Sequence, residues 1–241
     1  MSGRPECGTD RAERQSVCGA KRACADHGAA GVLELRKMDE SKGGMRVAVV
    51  VAHPDDETLW AGGMILNHPS WEWHIVALCR GSDRDRAPRF RRAMGVYGAR
   101  GALGDLDDGP GQAPLETAEV KECILSLLPF RRFNLILTHD RGGEYTRHRR
   151  HEETGRGVME LWQAGKIRAP RLWTFAYGDD GGRRLPRALP RADLAYRLRS
   201  RIWRRKYTII TDIYGFPETG FEARTTPRSE AFHCFSSSGG T

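Results

Sequence analysis

The sequence predicts an α/β domain in which a mostly parallel sheet is covered by helices on both faces, and three observations predict it. The β-branched run Val47-Ala48-Val49-Val50-Val51 does not alternate apolar with polar residues, as expected of a strand buried on both sides. From Met45 onward, strand-like and helix-like stretches alternate, the pattern of parallel strands joined by helical crossovers. The 241 residues suffice for one such domain with a sizeable core, and they contain no internal repeat.

Residues 1–43 are rich in Gly, Ala and charge without sustained periodicity and read as a disordered N-terminal extension. Only Val32-Leu33-Glu34-Leu35 hints at a helical turn there. Residues 44–241 form the single domain. Its first strand is Arg46–Val51, followed by a helix over 57–66 that Asn67-His68-Pro69 ends. A second strand covers 73–79, and a helix over 89–97 stops at Gly98. A short strand near Ala102-Leu103 precedes the turn Asp107-Asp108-Gly109-Pro110.

A helix over 116–128 aligns Val120, Cys123, Ile124, Leu127 and Leu128 on one face. The strand 133–138, a helix over 152–163 and a strand over 172–176 follow. In the basic stretch 183–206, Leu194, Leu198 and Ile202 recur every four residues, which predicts an amphipathic helix with arginines outward. Residues 207–214 fit helix and strand equally before Gly215-Phe216-Pro217 ends them.

The formal net charge of +8 fits an anionic partner or substrate, or an arginine-rich composition. No apolar stretch is long enough to span a bilayer. Met1-Ser2-Gly3-Arg4-Pro5-Glu6 lacks the apolar core of a secretory signal. Cys7, Cys18 and Cys24 form no Cys-x-x-Cys pair, Cys79 and Cys123 fall in apolar runs, and Cys234 lies near the end. A reduced, cytoplasmic protein is the simplest account. Nucleic-acid binding is not expected, because no aromatic residues interleave the basic stretch as stacking platforms.

Two clusters carry chemistry. Directly after the first strand come Ala52-His53-Pro54-Asp55-Asp56-Glu57, one imidazole and three carboxylates at a strand end stiffened by Pro54. Asp55 or Asp56 could serve simply as the N-cap of the next helix. After the strand at 133–138 comes Thr138-His139-Asp140-Arg141-Gly142-Gly143-Glu144-Tyr145-Thr146-Arg147-His148-Arg149-Arg150-His151. A catalytic zinc site needs three protein ligands and an open position. His53, Asp56 and His151 would supply two imidazoles and a carboxylate, leaving Asp55 free to take a proton from the metal-bound water.

His53-Pro54-Asp55-Asp56-Glu57 after one strand, with His148-Arg149-Arg150-His151 after another, resembles the PIG-L/LmbE-like zinc-dependent de-N-acetylases over about residues 45–180. Members remove acetyl groups from N-acetylglucosaminyl compounds and related amides. The resemblance implies a Rossmann-like domain, Zn2+ or another divalent ion such as Fe2+, and an N-acetylated amino-sugar conjugate as substrate. It makes His53, Asp56 and His151 the metal ligands and Asp55 the general base. His148 would stabilise the oxyanion or protonate the leaving amine. Arg86 matches a substrate-contacting arginine of some relatives, with Arg84 and Arg89 close by. His139 is an alternative ligand, and Glu57 is second to the ligands or helix-initiating.

Many relatives have His-Pro-Asp-His at the second motif; here the carboxylate between the histidines is missing, and Glu152 or Glu144 would replace it. The tail Phe221-Glu222-Ala223-Arg224-Thr225-Thr226-Pro227-Arg228 also looks like that of shorter members. The competing expectation is a non-catalytic metal- or glycoconjugate-binding member of the same fold. The substrate pocket is expected from loops around 81–89, 107–111 and the region after Tyr177.

Overall fold

The computed structural model describes residues 44–237; the expected N-terminal extension lies outside them. Valine-rich β1 (Arg46–Val51) has its last five residues buried and runs into α1 (Asp56–Asn67). Next come β2 (Glu72–Cys79), α2 (Arg86–Tyr97) and β3 (Arg100–Leu106). Then follow α3 (Thr117–Leu127), β4 (Leu135–Thr138), α4 (Arg149–Gln163) and β5 (Arg171–Phe175). The remaining elements are β6 (Tyr177–Gly178), β7 (Arg187–Ala188), β8 (Leu194–Arg197), α5 (Ser200–Thr208), α6 (Phe221–Thr225) and β9 (Ser229–Ser236). A π-helical turn, Ile209–Ile213, continues α5.

The seven-stranded sheet has the order β3-β2-β1-β4-β5-β9-β8, parallel through β5, with β9 antiparallel to both neighbours. Side chains of β1 divide the core between the two faces. Val47, Val49 and Val51 pack with α1, α2 and α5, whereas Ala48 and Val50 pack with α3 and α4. This explains the unbroken apolar run, since neither face of a central parallel strand meets water.

Strand order reverses at β1. The chain goes outward through β2 and β3, then returns to add β4 and β5 on the other side. A reversal of this kind opens a crevice at the carboxyl ends of the two central strands. Val50 pairs with Thr138, so the two sequence clusters emerge side by side from β1 and β4.

The helix expected over 183–206 is not formed. Leu194–Arg197 is instead the edge strand β8, paired with β9, and the helix covers only Ser200–Thr208. A spacing of four satisfies a strand as well as a helix, because even-numbered residues share one strand face. Leu194 is buried in that way while Ala195 and Arg197 are exposed. Pro186 and Pro190 disfavour helical conformation in the residues before them. The helix start at Arg149, three residues earlier than expected, matters more for the site, because it places His151 inside the first helical turn.

Candidate metal centre

The Ala52–Asp55 turn leaves β1 along a constrained path. Asp55 adopts φ 125°, a conformation costing about 1–3 kcal/mol for a residue with a side chain. The Asp55 N–H donates to Glu57 Oε2 at 3.0 Å, and its carbonyl accepts the Thr58 and Leu59 N–H groups that begin α1. Asp55 is thus the N-cap by backbone geometry, with no capping bond from its side chain. The freed carboxylate takes an ion pair from Arg86 Nη1 at 2.8 Å. Asp56 turns the other way, accepting the His53 N–H at 2.8 Å and the Trp60 indole N–H at 3.2 Å.

From the other side, α4 presses against the backbone following β4. A Cβ at Gly155 would lie 2.5 Å from the His139 carbonyl oxygen and 2.6 Å from that of Asp140, so only glycine permits this approach. Glu144 then meets both buried histidines through one oxygen, with His139 Nδ1 at 2.8 Å and His151 Nδ1 at 2.7 Å. These bonds put a proton on Nδ1 of His151 and leave its Nε2 lone pair facing Asp56 Oδ1 at 3.3 Å. Glu144, rather than Glu152, is therefore the carboxylate behind His151.

His139 is different. Its Nε2 accepts the Ala52 N–H at 3.0 Å, so neither ring nitrogen has a lone pair left for a cation. It ties β4 to β1, although Asp56, His139 and His151 converge within 4.8 Å.

The remaining imidazoles converge as well. Ligand-type nitrogens of His53, His148 and His151 lie within 4.8 Å of one another. His53 Nε2, His148 Nδ1 and His151 Nε2 are all buried without a hydrogen-bond partner. Buried polar atoms are normally paired, and these imidazoles, with Asp56 Oδ1 3.3 Å from His151 Nε2 and Asp56 Oδ2 3.2 Å from His53 Nδ1, fit a divalent cation by donor type. Electrostatics agrees. Burial opposes ionisation of Asp56, but while the His151 and His139 nitrogens facing it carry protons they hold its carboxyl well below the usual carboxylate range, a charge that a bound cation would supply in their place. Burial, with Asp56 beside it, pushes Asp55 the other way, against Arg86. Burial and the neighbouring imidazoles of His151 and His53 lower His148 to about 3, so that ring is neutral at pH 7.

Sequence reasoning missed Asp108. Its Oδ1 lies 3.2 Å from His53 Nε2, and its Oδ2 pairs with Arg80 at 2.6 Å. Arg150, one of the two basic residues between the paired histidines, keeps that loop in place. It is buried, donates to the Asp107 and Ala113 carbonyls and pairs with Glu153 at 2.6 Å. Nothing local in the sequence joins Asp108 to His53; the contact exists because β3 and α4 flank the same crevice.

An open cleft of about 870 Å³ lies over these groups, lined by the loops at 82–86 and 105–112 as expected. Its remaining wall comes from Tyr145 and, in the region after Tyr177, from Phe221 and Glu222. Seven carboxylates and two arginines line it, so the chain's excess of positive charge lies elsewhere and does not argue for an anionic substrate.

Residues 48–162 match the profile of the PIG-L family, described as GlcNAc-PI de-N-acetylase. This segment is a PIG-L domain. A protein of Acanthamoeba polyphaga mimivirus is 22% identical over 145 residues, which cover 54% of this chain and 60% of the viral protein. Among solved structures, the N,N'-diacetylchitobiose deacetylase of Pyrococcus horikoshii aligns with a TM-score of 0.60 at 16% identity, over 85% of this chain and 89% of that one. A teicoplanin deacetylase in its zinc-inhibited form aligns at 0.54 and 14% identity, over 81% and 100%. At these identities the likeness is one of fold. The matched segment spans both sequence clusters, while α5, α6, β8 and β9 lie beyond it.

Proposed function

We propose that this protein is a metal-dependent N-deacetylase, hydrolysing the acetyl amide of an N-acetylglucosaminyl or related N-acyl small molecule. The observation that carries this reading is the convergence of the His53, His148 and His151 imidazoles within 4.8 Å of one another, next to an aspartate pair that lines an open cleft. His53, Asp56 and His151 are the ligands of this reading, with zinc as the cation and Fe2+ as the alternative. A cation bound there acidifies a water molecule and polarises the amide carbonyl.

The protein's own groups divide the remaining work. Asp55 faces the cleft from the turn that Asp56 leaves, and takes a proton from the attacking water as general base. Burial raises its proton affinity, which suits it to pass that proton to the leaving amine. His148, kept neutral, offers an N–H to the developing oxyanion. Arg86 orients the Asp55 carboxylate and lies within reach of substrate in the cleft lining. The carboxylates of the lining are acceptors for sugar hydroxyls. Cys79, Cys123 and Cys234 are free thiols, which supports the cytoplasmic reading.

The test is acetate release from a panel of N-acetylglucosaminides by zinc-loaded protein, with metal content measured in parallel. Asp55→Asn is expected to keep its metal and lose at least about 100-fold in kcat. Turnover near the wild-type rate in that variant removes Asp55 as the base.

A further inference from the structure

Asp55 is held from two directions, at its backbone N–H and at its carboxylate, and both holds lead to one segment outside the PIG-L match. The first runs through Glu57, which is fully buried. One of its oxygens accepts the Asp55 N–H at 3.0 Å; the other accepts the Tyr214 hydroxyl at 2.7 Å and the Thr58 hydroxyl at 2.5 Å. Thr58 is met in turn by the Tyr97 hydroxyl at 2.8 Å. The second hold runs through Arg86, whose guanidinium pairs with the Asp55 carboxylate and lies 4.2 Å over the ring of Phe216.

Tyr214 and Phe216 directly follow the π-helical turn Ile209–Ile213. The turn closes through Tyr214 N–H to the Ile209 carbonyl at 2.9 Å and Phe216 N–H to the Ile210 carbonyl at 3.2 Å. A wide turn of this kind advances the chain differently from an α-helix and re-aims the residues after it. The segment is also fastened to α2, the helix that carries Arg86. Arg89 donates to the Tyr214 carbonyl at 2.5 Å, and Arg92 to that of Ile213 at 3.3 Å.

We propose that residues 209–216 form a clamp that positions Asp55, Tyr214 acting through Glu57 on its backbone N–H and Phe216 acting through Arg86 on its carboxylate. The inference rests on Asp55 being the general base. Tyr214, Glu57 and Phe216 are positioning residues, since each reaches the reacting groups only through another side chain. Small displacements of a catalytic group are costly to rate, so a strained turn supported from both ends has a direct kinetic consequence.

The experiment compares Tyr214→Phe, Glu57→Gln, their double variant and Phe216→Leu, all zinc-loaded, using acetate release from methyl N-acetylglucosaminide and amide hydrogen exchange by NMR. Tyr214→Phe is expected to lower kcat about tenfold with KM and metal content unchanged. The double variant should be no slower than the slower single one, because both act along one path. The Asp55 amide should exchange at least about tenfold faster in Tyr214→Phe, while Val49 and Val50 keep wild-type protection. Phe216→Leu should lower kcat with that amide still protected, its effect arriving through Arg86. Wild-type kcat and Asp55 exchange in Tyr214→Phe, or losses that simply multiply in the double variant, overturn the clamp. Asp55→Asn separates the two levels: if it stays active, the reading beneath the clamp fails, whereas an inactive Asp55→Asn beside a fully active Tyr214→Phe defeats the clamp alone.

Discussion

Two of the buried ionic clusters among the described residues, around Glu230 and around Asp56, make a contrast. Around Glu230, every strong group is matched. The carboxylate accepts the Gly63 and Met64 N–H groups of α1, the Tyr196 hydroxyl and the Lys206 ammonium, all between 2.7 and 3.0 Å. Around Asp56 the matching is incomplete: His53 Nε2 and His151 Nε2 lie 3.2 and 3.3 Å from the Asp108 and Asp56 carboxylates, and His148 Nδ1 has no hydrogen bond. Both clusters contain groups whose proton affinity is displaced, Lys206 lowered by burial and Asp56 lowered by its histidines against burial. Displaced proton affinity is therefore common to both clusters; what sets the Asp56 cluster apart from the Glu230 cluster is the convergence of ligand-type imidazole nitrogens. Helix α1 joins the two, with Asp56 at its first turn and Glu230 gripping its middle.

Three substitutions sharpen that contrast. The largest effect is expected from His151→Ala, which removes an imidazole aimed at the site: bound zinc, measured by elemental analysis, should fall to background while circular dichroism remains native. Full zinc occupancy in that variant would take His151 out of the ligand set. Lys206→Met should do the reverse, retaining zinc in the folded protein but losing about 3–5 kcal/mol in urea unfolding, because a buried carboxylate loses its cation. Loss of zinc at unchanged stability would collapse the distinction between the clusters. The smallest effect belongs to Glu144→Gln, which weakens the hydrogen bond behind His151 and should reduce zinc affinity about 10–100-fold by competition with a chelator.

Much of the fold could be read along the chain because its signals are local. The Val47–Val51 run, the helix stop at Gly98 and the apolar face around Val120 and Ile124 each report on their own element. The two histidine- and aspartate-bearing turns were legible for the same reason, since each follows a recognisable strand. What stayed hidden depends on distant partners. Asp108 reaches His53 from the end of β3, and Tyr214 reaches Glu57 across 157 positions. Neither contact leaves a periodic trace. Residues 183–206 misled because a repeat of four serves β8 as well as a helix, and the choice was made by pairing with β9, whose register no local pattern announces.

The position of β9 also bears on how the protein comes into being. It is the last strand of the described region, yet it lies inside the sheet, between β5 and β8. While the chain is still emerging from the ribosome, β5 presents an unpaired edge and β8 has no neighbour to join, the circumstance in which nascent chains stick to one another. Glu230 arrives on that same strand. The helix bearing Asp56 gains its central anchor only once β9 has been made, so a chain cut before β9 would carry both sequence motifs and lack the carboxylate that grips the middle of α1.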